Sequence, residues 1–190
     1  MSPLPVCGRR RKNRGFSLVE MLVVVMITGI LAMIGVMLFR KYIGSSRGTE
    51  ALSVIQAIRA AEESYLAENH TYLSVSTADG GKDWYPNVTP NQTRYAWGQP
   101  LHHDYANWQF LAPVINRPVQ FGYLVYAGGA GVAIPQLLIP GAPTYNTPTD
   151  DWYVIQAEGD TDGNGKFAQY VTASASNQAS GQIWSQNEGE

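Results

Sequence analysis

From Phe16 to Phe39 the chain runs for 24 residues with a single charge, Glu20. A helix rising 1.5 Å per residue needs roughly 20 predominantly apolar residues to cross a hydrocarbon core, so this stretch is long enough to span a bilayer. Ahead of it, Arg9-Arg10-Arg11-Lys12-Asn13-Arg14 places five cations in six residues. A secretory signal ends in a small-residue cleavage site after its apolar run, whereas here the small residue, Gly15, comes before it. A cut after Gly15 therefore leaves the hydrophobic helix on the product. The cations of residues 1–15 outweigh Arg40-Lys41 on the other flank, which predicts a cytoplasmic N-terminus and an external C-terminal domain.

Glu20 is the feature that membrane insertion alone does not account for. A carboxylate in an apolar helix costs about 3 kcal/mol near the bilayer centre and less near an end. Intramembrane acids accordingly tend to have a partner. Either Glu20 sits at headgroup level with no role, or it pairs with a cation inside the apolar environment.

Gly15-Phe16-Ser17-Leu18-Val19-Glu20, followed by Thr28-Gly29-Ile30-Leu31-Ala32, resembles the class III signal of type IV pilins, minor pilins and type II secretion pseudopilins. The resemblance covers about the first third of the chain. It implies that a prepilin peptidase cuts between Gly15 and Phe16 and N-methylates Phe16. The subunit would then leave the inner membrane, through an assembly platform, for a helical filament of pilins or pseudopilins. Glu20 would meet the N-terminal amine of a neighbouring subunit there.

Two departures from the family pattern shape the expectation. Many pilins carry a proline where this chain has Met37, eight residues after Gly29, so the local break that proline makes in the helical ladder is absent. Gly29 and Gly35 still weaken the helix, by about 1 kcal/mol each relative to alanine. Many type IV pilins also close a C-terminal loop with a disulfide; here the one cysteine, Cys7, precedes Gly15, so a chain starting at Phe16 has none. The missing proline favours a minor pilin or pseudopilin over a standard major pilin.

A chain of 190 residues predicts one globular domain beside the membrane helix. Starting at Phe16 it keeps eight of its 13 Lys and Arg and all 15 Asp and Glu, for a net side-chain charge of −7. Such a domain has no long-range attraction for phosphates. DNA capture would need a local basic patch, yet Arg47, Arg59, Lys82, Arg94, Arg117 and Lys166 are scattered, and no nucleic-acid partner is expected.

The helical pattern outlasts the apolar run. Gly44-Ser45-Ser46-Arg47-Gly48 loosens it, and beyond that Leu52, Ile55, Ile58, Ala61 and Tyr65 recur every three or four residues, with Glu50, Arg59, Glu63 and Glu68 off that face. One helix over 16–69 is predicted, apolar all round in its first half and on one face in its second. Residues 71–118 hold Trp84, Trp97 and Trp108 and are read as an ordered, aromatic-rich connection wrapped over a sheet. Strands are predicted over 119–126, 152–157, 167–172 and 182–185; 132–139 is a further candidate that Pro135 confines to an edge or an irregular segment. The fold class is α+β, a long N-terminal helix packed on a C-terminal antiparallel sheet, as the pilin resemblance also implies. The expected division is leader 1–15, hydrophobic assembly helix 16–43, amphipathic helix 44–69 and globular head 70–190.

In the head, Asp160, Asp162 and Asn164 alternate before Gly165 like the opening half of an EF-hand loop, in which hard oxygens converge on calcium. The second half fails, because the position of the bidentate glutamate is Val171. The same residues suit a plain β-turn, since Asp, Asn and Gly tolerate left-handed backbone. Calcium-stabilised loops occur among pseudopilins and some pilins, and that resemblance is what keeps calcium in view. His102-His103-Asp104 could suggest zinc, but adjacent histidines do not easily converge on one ion without a third ligand, and a surface turn is expected. Nucleophile elbows, phosphate loops, dinucleotide fingerprints and metalloprotease helices are absent from the sequence.

The reading is thus a non-enzymatic structural subunit, made as a single-pass inner-membrane precursor with a periplasmic head and assembled into a pilus or pseudopilus. Its competitor is a single-pass anchored binding or sensor module that keeps residues 1–15.

Overall fold

A computed structural model describes residues 15–77, 83–174 and 182–188. The basic run over 9–14, Cys7 and Lys82 lie outside them. The chain divides into two compact units, Met1–Arg40 and Lys41–Glu190.

Helix α1 spans Leu18–Asn69, within two residues of the predicted start and at the predicted end. The breaker cluster does not interrupt it. In the second unit its apolar stripe is buried: Ala51, Ile55 and Ile58 are fully covered, and Leu52, Ala61 and Tyr65 pack at the margin. Fully burying a side chain of the Val, Leu or Ile class contributes about 1.5–3 kcal/mol, and this stripe supplies the helix's share of the core. Gly48 is required for a different reason from backbone freedom. A Cβ built there falls 2.5 Å from the Tyr170 hydroxyl, so the glycine is the clearance by which the helix meets the sheet.

The sheet has four antiparallel strands in the order β1 (Gly122–Gly128), β2 (Trp152–Gly159), β3 (Ala168–Ala173) and β4 (Ile183–Gln186). The hairpin predicted around residues 160–166 is β2–β3, with Gly159 opposite Ala168 and Val154 opposite Ala173. Every residue of β2 and β3 is buried, so both faces of the sheet are covered. On one face Tyr153, Ile155 and Ala157 join α1 in the main core; on the other Trp152 and Val154 form a second cluster with Trp84, Leu124, Tyr126 and Ile139. The segment around Pro135 forms no strand. It lies over that second face, held where Gln156 Oε1 accepts the Leu138 and Ile139 N–H groups at 2.9 and 3.4 Å.

Residues 83–121 form the expected aromatic connection, with one short helix, α2 (Tyr105–Leu111), ended by Ala112 in the left-handed region at φ 47°. Tyr85 stacks on Trp108 at 5.1 Å and meets Trp97 edge-on at 5.0 Å, and its hydroxyl donates to the Trp97 carbonyl. The outer edge of β1 is closed by Tyr85, which exchanges backbone bonds with Tyr123, and by Ser76, whose N–H donates to the Val125 carbonyl while its Oγ accepts the Val125 N–H. Covering an edge in this way removes a row of unpaired backbone groups.

Candidate functional site

Gly15 to Glu20 open α1. Ser17 is the cap: its Oγ accepts the Glu20 N–H at 3.1 Å, and Glu20 Oε2 accepts the Ser17 N–H at 3.1 Å. This reciprocal pair is a capping box, which satisfies two backbone donors that a helix start leaves without partners. The S-x-x-E spacing was legible in Ser17-Leu18-Val19-Glu20 and was missed because Glu20 was weighed only as a buried charge. Phe16 is 73% exposed, and a Cβ on Gly15 would meet nothing within 4 Å among the described residues.

All described residues from Gly15 to Phe39 are exposed. Among the described residues α1 alone has the length and composition to cross a membrane, with an 18-residue window of mean hydropathy 2.8. The one hydroxyl between Leu18 and Phe39, on Thr28, donates back to the carbonyls of Val24 and Val25 at 2.9 and 3.0 Å, so the apolar surface presents no unsatisfied donor there.

The turn after β2 brings Asp160, Asp162 and Asn164 together, all bonded within the turn. Asp160 accepts the Gly163 and Gly165 N–H groups at 2.8 and 3.1 Å, Asp162 accepts the Asn164 N–H at 3.1 Å, and Asn164 accepts the Lys166 N–H at 2.7 Å. Gly163 and Gly165 take φ of 77° and 81°, which a side chain would strain. Val171, at the EF-hand glutamate position, is fully buried in β3. The loop therefore offers the opening donors of an EF-hand loop without its bidentate glutamate.

His102 and Asp104 are not on a plain surface turn. They are 8% and 2% exposed, drawn inward by the aromatic cluster, where His102 meets Tyr85 edge-on at 5.1 Å. Burial lowers the His102 pKa and raises that of Asp104, the latter opposed by the two neighbouring histidines.

Glu62 is a second group that sequence reasoning missed, since an apolar-periodicity search passes over a charged residue. It is fully buried, and Oε2 accepts the Leu73 N–H at 3.0 Å while Oε1 has no partner among the described residues. Burial pushes its carboxyl up to about 7, with the Leu73 bond opposing and Glu63 adding to the rise. A carboxyl whose folded pKa lies above the unfolded 4.5 binds the proton more tightly when folded, so its contribution is complete below about pH 4.5 and is lost as pH rises to about 7. Wild type should therefore melt progressively lower across that window. Glu62→Gln should flatten the change and be the more stable protein at pH 8, by on the order of 2–3 kcal/mol. Melting curves of both proteins from pH 4 to 8 check this.

Comparisons with known proteins bear on the N-terminal segment and on the family. Residues 10–36 match the model of the prokaryotic N-terminal methylation motif. The chain is 39% identical over 69 residues to the type IV major pilin protein PilA of Myxococcus xanthus, covering 36% of this chain and 31% of that one. To the prepilin peptidase-dependent protein D of Escherichia coli it is 34% identical over 84 residues, 44% of this chain and 54% of the relative. To the type II secretion system core protein G of Pseudomonas aeruginosa it is 30% identical over 125 residues, 58% of this chain and 81% of the relative. The chain thus spans about a third to a half of the length of the first of these relatives and most of the last. No solved structure matches it.

Proposed function

Because the chain belongs to the type IV pilin and pseudopilin family, whose members are structural proteins and not enzymes, we propose that it is a minor subunit of a type IV pilus or type II secretion pseudopilus. In this reading it is made as a single-pass inner-membrane precursor with its N-terminus in the cytoplasm and residues 70–190 as a periplasmic head. Prepilin peptidase removes the leader, residues 1–15, by cutting between Gly15 and Phe16, and Phe16 is N-methylated. The helix over 16–43 then moves from bilayer to filament core, where other pilins or pseudopilins cover it.

The observation that carries the reading is the uninterrupted exposure of an apolar helix that starts at Leu18, three residues after Gly15. An apolar face of that length is stable only in lipid or against similar helices. Glu20 pairs in the filament with the Phe16 amine of a neighbour, each offsetting the other's cost in a low-dielectric core. Met37 and the lack of cysteine after Gly15 favour the minor class. Shearing cells and separating filaments from membranes tests the assignment: a filament subunit appears in the sheared fraction at a low ratio to the major pilin, whereas a permanent anchor stays entirely in the membrane.

Asp160, Asp162 and Asn164 carry the calcium reading, with water or backbone carbonyls completing the shell. If they bind calcium, the full chain in detergent gains about 2.7 kcal/mol at a hundredfold excess of the ion over its dissociation constant, and magnesium does much less. Asp162→Ala then removes the gain. A melting temperature indifferent to both calcium and chelator assigns the loop to a plain turn.

A further inference from the structure

We propose that His102, His103 and Asp104 form a binding site for a divalent transition-metal ion of the zinc class. One donor atom from each of the three lies within 4.8 Å of the others. Asp104 is 2% exposed, and its Oδ2 has no hydrogen-bond partner among the described residues. A buried carboxylate oxygen without a donor is costly, and a bound cation removes that cost.

The imidazoles are held in the way that leaves lone pairs for an ion. His102 Nε2 lies 3.1 Å from the Trp84 carbonyl, so the ring hydrogen belongs on Nε2 and Nδ1 carries the lone pair, beside the Asp104 backbone N–H at 3.2 Å. His103 Nδ1 lies 3.4 Å from Asp83 Oδ2, and its Nε2 lies 3.2 Å from Asp104 Oδ1. A neutral imidazole has one N–H. With it directed at Asp83, the Nε2 lone pair faces Asp104 Oδ1 and can accept an ion in the gap between the two; with it on Nε2, it donates to Asp104 instead. Thr77 Oγ1, 3.1 Å from His103 Nε2, donates to Asp104 Oδ1 at 3.4 Å and leaves Oδ2 without a partner among the described residues. Metal-bound histidines characteristically donate their other N–H to a carbonyl or carboxylate, the parts played here by Trp84 and Asp83.

The two rings stack 4.8 Å apart at 20°, so their in-plane lone pairs run nearly parallel and do not yet meet. Closure requires a turn of His103, whose side chain is 45% exposed, toward the buried pair, with the ion replacing the Asp104 N–H at His102 Nδ1. Two imidazole nitrogens with one carboxylate select zinc-class ions over calcium or magnesium, and water completes a tetrahedral shell. The competing occupant of the gap is a proton, which would make His103 an imidazolium bridging Asp83 and Asp104.

The test is a zinc titration at pH 7.5 by calorimetry, with cobalt absorbance as a second probe. It uses untagged full-length chain in detergent carrying Cys7→Ser, so that the thiol does not compete. One ion per chain should bind, and cobalt should give the intense visible bands of four-coordination. His103→Ala, at an exposed position, should keep the zinc-free melting temperature and lose binding. Asp83→Asn should weaken it by about 10- to 100-fold, and His70→Ala, at the third histidine, should leave it unchanged. Absence of one-to-one binding in the wild type, or undiminished binding in His103→Ala, overturns the site and leaves a proton-bridged turn.

Discussion

Gly15→Leu is expected to accumulate in the membrane as full-length precursor. A Cβ at this position meets nothing within 4 Å among the described residues, so the defect is expected in the peptidase that must accommodate the side chain. The insertion signal is untouched, since the cations lie before Gly15 and the apolar run after it. Immunoblots of membranes should show only the longer species, and no subunit should reach sheared filaments. Normal maturation of this variant would remove the basis for assigning Gly15 to cleavage.

Glu20→Val should insert at least as well as wild type, because it takes a charge out of an apolar helix. Its assembly should fall severely, because the amine of a neighbouring Phe16 then has no carboxylate to meet. The structure adds a complication with a remedy: Glu20 also caps α1 by accepting the Ser17 N–H, a contribution of about 1 kcal/mol. Ser17→Ala removes the reciprocal bond, in which Ser17 Oγ accepts the Glu20 N–H, and leaves the carboxylate in place. If pairing between subunits is the role of Glu20, Ser17→Ala stays near the wild-type ratio of sheared to membrane-bound protein while Glu20→Val drops far below it. Equal losses in the two variants would assign Glu20 to capping alone.

What could be read from the chain depended on whether its physical cause was local. α1 was legible because its two halves carry different apolar patterns over many turns, and the β2–β3 hairpin because β-branched and aromatic runs flank Asp160-Thr161-Asp162-Gly163-Asn164-Gly165. The second core was not. Nothing near Trp152 or Val154 reveals that residues 134–145, apolar but interrupted by proline, lie over that face and do not extend the sheet. The burial of Glu62 depends on the backbone of Leu73, 11 residues on, and that of His102 on the Trp84 carbonyl, 18 residues away in sequence. Such polar placements are set by tertiary packing, which periodicity does not report. Gly15, Phe16 and Glu20 were singled out as candidates through motif and spacing, but the cap between Ser17 and Glu20 passed unremarked although both residues were in view.

The central claim is that the chain is a prepilin, matured by cleavage after Gly15. Intact mass spectrometry of the protein extracted from membranes of cells with a working prepilin peptidase addresses it directly. The account predicts a mass corresponding to a chain that begins at N-methylated Phe16. A mass corresponding to a start at Met1, with the leader retained, would contradict it and leave a permanent single-pass anchor.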